Sequence, residues 1–87
     1  MRIKRVSQEI WPQVDGKLSK SFEFETFKQA LDFINQIGTV AEVMNHHPEI
    51  RNVYNKVDIL LFTHDKSQIT QKDYNLAEKI DKIYSNF

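Results

Sequence analysis

The chain has 87 residues, a length that fits a single domain spanning residues 1–87. Twelve basic residues balance twelve acidic ones, which argues against direct nucleic-acid binding, since that function usually requires a basic surface. The absence of cysteine excludes disulfides, zinc–thiolate sites and thiol catalysis. The longest apolar run, Ile59 to Phe62, is far shorter than a membrane span, and the N-terminus lacks a signal-peptide stretch. We therefore expect a soluble, cytoplasmic protein with no membrane partner.

Two strands joined by a tight turn are predicted at the start of the chain. Asp15-Gly16 is a strong reversal signal, because glycine tolerates positive φ and aspartate hydrogen-bonds its own backbone. The stretch from Glu9 to Val14 is typical of a strand, and Pro12 restricts that strand to the edge of a sheet. After the turn, the sequence alternates with the period of two that indicates a strand. One face of this second strand comprises Leu18, Lys20, Phe22 and Phe24.

A long helix is predicted next, with Thr26 as its N-cap and Pro48 as the residue that ends it. Gly38 in its middle either weakens the helix by about 1 kcal/mol relative to alanine or permits close packing. The stripe expected to be buried comprises Phe27, Ala30, Leu31, Ile34, Ile37, Ala41 and Met44. A second, polar stripe comprises Asn35, Thr39, Glu42 and His46.

The stretch from Ile50 to Thr63 is rich in strand-forming residues and fits either one strand or two. Asn55-Lys56 offers a reversal that would split it into a second hairpin. The two faces of its second half comprise Val57, Ile59, Leu61 and Thr63 on one side and Asp58, Leu60 and Phe62 on the other.

A second helix is predicted to begin after Thr70, with Asp73 at the third helical position favouring its N-terminus. Its buried stripe comprises Leu76, Ala77, Ile80, Ile83 and Tyr84, with Phe87 as the last candidate. The order ββαββα predicts an α+β fold of two layers, with both helices covering one side of a four-stranded antiparallel sheet. The uncovered side would carry Leu60 and Phe62, so we expect it to be a subunit interface.

The histidines are the candidate catalytic residues, because imidazole changes charge near neutral pH and therefore suits proton transfer. His46 and His47 end the first predicted helix, and His64 ends an apolar strand. Glu42 precedes His46 by four residues, so helical geometry would place the two on one face, where the carboxylate could orient the imidazole.

A shared histidine site depends on the second hairpin. If Ile50 to Thr63 were one straight strand, its ends would lie over about 40 Å apart, at about 3.3 Å per residue. A reversal near Asn55 would return His64 to the end of the sheet that carries His46. The hairpin and the site are therefore one linked prediction.

Simpler roles remain open for each of these residues. His46 could compensate the dipole at a helix C-terminus, and His47 could be a turn residue. His64 could merely close a strand, and Trp11 could be a partly buried aromatic of the edge strand. Glutamate and histidine in neighbouring turns could also ligate zinc, but consecutive helical residues point about 100° apart, which argues against a metal site.

Several segments of the chain follow one pattern. They are Glu42-Val43-Met44-Asn45-His46-His47-Pro48, Val53-Tyr54-Asn55-Lys56-Val57, Leu61-Phe62-Thr63-His64, Phe22-x-Phe24-x-x-Phe27-x-x-Ala30-x-x-Phe33 and Thr70-x-x-Asp73-x-x-Leu76-Ala77. Together they resemble the signature of the pterin-4a-carbinolamine dehydratases. The resemblance extends from about Trp11 to the end of the chain, and its E-x-x-x-H-H-P core with a downstream T-H is specific.

The resemblance implies a β(2)-α-β(2)-α fold assembled as a homodimer or homotetramer. It also implies an activity, the dehydration of 4a-hydroxytetrahydropterin to quinonoid dihydropterin, which recycles a tetrahydrobiopterin-type cofactor. The expected partner is thus a small-molecule pterin, and no metal or organic cofactor is implied. By position, the catalytic residues correspond to Glu42, His46, His47 and His64, and the substrate-binding residues to Trp11, Asn45, Thr63 and Asp73.

The chain also departs from the family pattern in one loop, and two other functions remain open beside the dehydratase. Family members usually have glycine in the loop after the T-H pair, where this chain has Asp65-Lys66-Ser67-Gln68. One alternative is a non-catalytic protein-interaction module, resembling a dimerisation cofactor or coactivator, which the apolar Leu60 and Phe62 and the neutral charge would suit. The other is an enzyme acting on a different pterin, for example in molybdopterin metabolism.

Overall fold

The computed structural model of the chain describes residues 11–87. Four strands form one antiparallel sheet in the order β1-β2-β4-β3, and two helices pack on it, so the predicted α+β fold and the order ββαββα are confirmed. The elements are β1 (Gln13–Val14), β2 (Lys17–Glu23), α1 (Phe27–Met44), β3 (Glu49–Val53), β4 (Lys56–Leu61) and α2 (Gln71–Tyr84).

The first hairpin turns where the sequence predicts. Asp15 and Gly16 both have positive φ, at 54° and 81°, and they connect the paired residues Val14 and Lys17. The first strand is much shorter than predicted, because β1 contains only two residues. Pro12 explains this, since it has no N–H for the ladder and contributes only its carbonyl, which accepts from Ser19 N at 2.9 Å. The part of the predicted strand before residue 11 lies outside the described residues.

The second hairpin also forms, with its turn one residue earlier than predicted. Val53 pairs with Lys56, so the loop is Tyr54-Asn55, and Tyr54 adopts a φ of 51°. Asn55 anchors this loop to the first hairpin, because its Nδ2 donates to Phe24 O at 2.7 Å while its own carbonyl accepts from Phe24 N at 2.9 Å. The reversal places the end of β4 at the same end of the sheet as the start of β3.

The core lies between the sheet and the helices. Strand β4 is central, and its three side chains that face the helices, Val57, Ile59 and Leu61, are fully buried. Leu60 and Phe62 lie on the opposite face and are only partly buried. The predicted division of this strand into two faces is therefore confirmed.

Helix α1 begins as predicted but buries a slightly different stripe. Thr26 Oγ1 accepts from Gln29 N at 3.1 Å and caps the helix. Phe33 belongs to the buried stripe, whereas Phe27 and Leu31 remain 46% and 40% exposed. The buried set comprises Ala30, Phe33, Ile37 and Ala41, a narrower arc of the helix than the prediction assumed. Gly38 is exposed, and an added Cβ would meet nothing within 4 Å, so the close-packing explanation of this glycine is wrong.

Helix α1 ends at Met44, several residues before Pro48, which is a correction to the predicted boundary. The cause is Asn45, which adopts a left-handed conformation with φ of 53°. His46 N then bonds back to Ala41 O at 3.0 Å, a six-residue closure typical of a left-handed helix end. His46 therefore lies beyond the helix.

Helix α2 begins with the predicted Thr70 cap. Thr70 Oγ1 accepts from Lys72 N at 3.3 Å, and Asp73 Oδ2 accepts from Thr70 N at 2.9 Å, which completes a capping box. The helix buries Leu76, Ala77 and Ile80, while Ile83 and Tyr84 are partly buried and Phe87 is 43% exposed. Across residues 11–87, neither helix has the length and apolar character needed to cross a bilayer.

Candidate active site

A cavity of about 360 Å³ opens at the end of the sheet where α1 leads into β3 and β4 leads into α2. Its lining comprises Asn45, His46, His47, Phe62, Thr63, His64, Asp65 and Lys72. All three histidines of the chain therefore meet at one cavity, although 17 positions separate His47 from His64. The second hairpin brings them together, as the linked prediction required.

His46 is held by a buried carboxylate. Its Nε2 lies 2.6 Å from Asp73 Oδ1, and the histidine and aspartate are 8% and 0% exposed. The other oxygen, Asp73 Oδ2, accepts from Thr63 Oγ1 at 2.7 Å and from Thr70 N at 2.9 Å. Asp73 thus caps helix α2 and orients His46 at the same time.

The predicted pairing of Glu42 with His46 is wrong. Because Asn45 turns the chain out of the helix, the residue that returns toward Glu42 is His47, whose Nε2 lies 2.7 Å from Glu42 Oε2. Both side chains of this second pair are largely exposed, so water screens the interaction and its contribution to stability is small. The site therefore contains one buried and one exposed histidine–carboxylate pair.

His64, like His47, is exposed. It begins a short 3-10 turn, His64–Lys66, directly after Thr63. Its ring meets the edge of the Phe62 ring, with centroids 5.4 Å apart and an interplanar angle of 81°. The turn closes at Ser67, which adopts a φ of 53°, the conformation that favours glycine.

The predicted substrate-binding residues occupy three different positions. Asn45 and Thr63 line the cavity, and Asp73 lies behind it. Trp11 lies in the core instead, where its Nε1 donates to Asp81 Oδ2 at 3.1 Å and its ring lies 5.8 Å from that of Phe22. The structure therefore does not bring Trp11 together with the histidines.

Two charged residues were missed by the sequence reasoning. Lys72 lines the cavity, and the available signal was its place next to Asp73 in the first turn of α2. Asp81 is buried in the apolar stripe of α2 and pairs with Lys20 Nζ at 2.8 Å. The signal for this pair was Lys20 itself, a charged residue on the buried face of β2 that needed a partner.

A second cavity of about 610 Å³ lies at the opposite end of the sheet. Its lining comprises Glu23, Phe24, Glu25, Gln29, Tyr84, Ser85 and Phe87. It is the larger of the two but has no histidine, and acid–base chemistry requires groups that exchange protons near neutral pH. The smaller cavity is therefore the candidate active site.

Comparisons with known proteins identify the family of the chain. A sequence profile described as pterin 4 alpha carbinolamine dehydratase matches residues 2–83. A protein of Herpetosiphon aurantiacus with the provisional name of a pterin-4-alpha-carbinolamine dehydratase is 48% identical over 75 residues, which cover 86% of this chain and 78% of that protein. A similarly named protein of Sulfolobus acidocaldarius is 41% identical over 83 residues, which cover 93% of this chain and 91% of the relative.

Solved structures are similar as well. A crystal structure of a transcriptional coactivator/pterin dehydratase from Brucella melitensis superposes with a TM-score of 0.81 at 39% identity, covering 85% of this chain and 81% of that one. A pterin dehydratase-like protein described as a RuBisCO assembly factor of the alpha-carboxysome shares the fold, with a TM-score of 0.74 at 21% identity and coverage of 90% and 93%. On the profile match and these identities, the chain belongs to the pterin-4a-carbinolamine dehydratase family.

Proposed function

We propose that the chain catalyses the dehydration of 4a-hydroxytetrahydropterin to quinonoid dihydropterin. The observation that carries the proposal is the meeting of three imidazoles at one cavity, two of them paired with carboxylates. The cavity volume of about 360 Å³ falls within the range of small-molecule sites.

The reaction requires two proton transfers, which histidines can perform near neutral pH. An acid delivers a proton to the 4a-hydroxyl, the C4a–O bond breaks with its electron pair on oxygen, and water leaves. A base removes the proton from N5, and the N5–H electron pair forms the C4a–N5 double bond. Acid and base then return to their starting states by exchanging protons with solvent, so no oxidant, metal or organic cofactor is consumed.

The environments of the histidines support a division of roles. His46 and His64 exchange the protons, one from a buried and fixed position and the other from an open one. His47, held by Glu42, hydrogen-bonds the hydroxyl or the pterin ring. A cationic pterin develops as the C–O bond breaks, and Asp65 at the cavity wall stabilises it.

Binding of the pterin falls to residues that surround these histidines. Asn45 and Thr63 present side chains at the cavity, and Asp73 acts through its bond to His46. The core position of Trp11 favours an indirect contribution, through packing of the sheet.

Kinetics of histidine variants test the proposal. The wild-type protein should accelerate loss of the 4a-carbinolamine, and His46→Ala or His64→Ala should each lower kcat by about 100-fold to 10,000-fold, the usual contribution of a positioned acid or base. Lys66→Ala is the matched control for His64→Ala, because it lies in the same turn without lining the cavity. A wild-type rate equal to that in buffer would refute the proposal, and a substrate panel in the same assay would reveal an enzyme acting on another pterin.

A protein-interaction role is the second candidate. Leu60 and Phe62 are apolar residues on the sheet face that the helices leave uncovered, and the related Brucella structure is described as a coactivator as well as a dehydratase. Recovery of a stable protein partner that the histidine variants still bind, together with an inactive wild type, would favour this role.

A further inference from the structure

The hydrogen bonds around an ionised Asp73 can be satisfied in one direction only. An ionised carboxylate accepts but cannot donate. Its Oδ2 accepts a hydrogen bond from the backbone N–H of Thr70, a group that can only donate. The same Oδ2 also lies 2.7 Å from Thr63 Oγ1. For that second contact to be a hydrogen bond, the hydroxyl hydrogen of Thr63 must point at Asp73.

The direction of this bond fixes the next one. Thr63 Oγ1 and Thr70 Oγ1 lie 2.7 Å apart, and either could donate. Because the hydrogen of Thr63 is committed to Asp73, Thr70 must donate to Thr63, while Thr70 Oγ1 accepts from Lys72 N. The result is a directed chain in which Thr70 donates to Thr63 and Thr63 donates to Asp73, with every hydrogen used.

The same carboxylate then determines the tautomer of His46. In an ionised Asp73, Oδ1 can only accept, so the histidine nitrogen 2.6 Å away, Nε2, must carry a hydrogen. Within residues 11–87, the hydrogen bonds of this ring are confined to Nε2. In the neutral ring, Nδ1 is therefore the nitrogen with a free lone pair, and His46 lines the cavity.

We propose that Nδ1 of His46 is the atom that exchanges the proton, and that Asp73, Thr63 and Thr70 are positioning residues that hold the ring as the Nε2–H tautomer. The identity of the reacting atom rests on the proposed function. The tautomer of His46 does not, because it is a property of the free protein. The proposal also makes the N-terminal cap of α2 part of the site. One oxygen of the Asp73 carboxylate accepts from Thr70 N and caps the helix, and the other orients the imidazole of His46.

Asp73→Asn gives a sharp test, because the backbone fixes the orientation of the new amide. Thr70 N–H and the Thr63 hydroxyl both require an acceptor at the position of Oδ2, so the amide oxygen must take that place. The amide NH₂ then faces His46 Nε2, which has to become an acceptor. The hydrogen of the neutral ring moves to Nδ1, and the proposed base is lost.

The measurement is a long-range ¹H–¹⁵N correlation spectrum of the histidine rings. It is recorded at a pH at which a titration followed in the same spectra shows the His46 ring to be neutral. The wild-type protein should show His46 as the Nε2–H tautomer, and Asp73→Asn should show Nδ1–H. In the dehydration assay, Asp73→Asn should lower kcat by about 100-fold to 10,000-fold with little change in KM, as expected for loss of a general base. An Nδ1–H wild type, or an Asp73→Asn protein that keeps Nε2–H, would overturn the tautomer assignment.

A milder pair of variants covers the case in which Asp73→Asn fails to fold. Thr63→Val removes the hydroxyl while keeping the shape, and Thr63→Ser keeps the hydroxyl. We expect Thr63→Val to lower kcat and broaden or shift the His46 ring signals, and Thr63→Ser to restore both. Equal kcat and spectra for the two variants would rule out the role of Thr63.

The two proposals fail in distinguishable ways. An inactive wild type with the Nε2–H tautomer would reject the dehydratase and leave the hydrogen-bond chain standing. An active wild type whose Asp73→Asn variant changes tautomer without losing kcat would keep the dehydratase and reject Nδ1 of His46 as the reacting atom.

Discussion

The backbone of Asn45 determines which carboxylate His46 and His47 each meet. Its φ of 53° ends α1 and separates His46 from the helix, so that His46 turns toward Asp73 and His47 toward Glu42. Asparagine tolerates this conformation better than most residues, because its short side chain can hydrogen-bond locally.

The effect of substituting Asn45 on the free energy of unfolding should therefore depend on how well the new residue tolerates positive φ, and not on its polarity. Asn45→Val should lower the free energy of unfolding by about 1–2 kcal/mol, because a side chain with Cβ branching is disfavoured at positive φ. Asn45→Gly, the matched control, should stay within about 0.5 kcal/mol of the wild type. Urea unfolding measures both, and a Val variant as stable as the Gly variant would show that the turn does not depend on this conformation.

Helix α1 contains a glycine that weakens the helix and has no packing reason among the described residues. Gly38 is exposed in the middle of the helix, where an added Cβ has open space. Gly16, in contrast, occupies the first hairpin turn with a φ of 81°. The two glycines of the chain thus have opposite structural requirements.

Alanine at these two positions should have opposite effects. Gly38→Ala should raise the free energy of unfolding by about 1 kcal/mol, the difference in helix propensity. Gly16→Ala should lower it by more than about 0.4–1 kcal/mol, because alanine is strained at positive φ. Thermal melts followed by circular dichroism report both changes, and a destabilising Gly38→Ala would indicate a contact that this helix face makes in an assembly.

At the scale of the whole molecule, the uncovered sheet face is the surface expected to join subunits. Leu60 and Phe62 are flanked there by Lys17, Glu49 and Arg51. Hydrogen bonds from Arg51 and then Lys17 hold the pKa of Glu49 below its ordinary value of 4.5. Since this pKa is lowered, any stabilisation from the cluster is present above pH 4.5 and is lost as the pH falls through the lowered value.

A charge placed on this face should disrupt the assembly. We expect the wild-type protein to be a homodimer or homotetramer, and Leu60→Lys to lower its mass in light scattering, because the lysine would have to be desolvated in the interface. Val43→Lys is the control, since Val43 is highly exposed on α1. An unchanged mass for Leu60→Lys beside a lowered mass for Val43→Lys would move the interface from the sheet to the helices.

The sequence predicted the fold better than it predicted the contacts within the site. Strand and helix order followed from periodicity and turn residues, and the convergence of the histidines followed from one reversal near Asn55. The partners of His46 and His47 could not be predicted, because they depend on the left-handed Asn45 and not on helical spacing. Asp73 was recognised as a cap, but its bond to His46 spans 27 positions and arises only when α2 packs beside the end of α1.

The position of a bound pterin analogue tests the central claim most directly. In a crystal structure of the complex, the analogue should lie in the cavity lined by His46, His47 and His64, within hydrogen-bond distance of at least one imidazole. An analogue bound instead at the other end of the sheet, in the cavity lined by Glu23 and Tyr84, would contradict the account, because no histidine could then reach the reacting atoms.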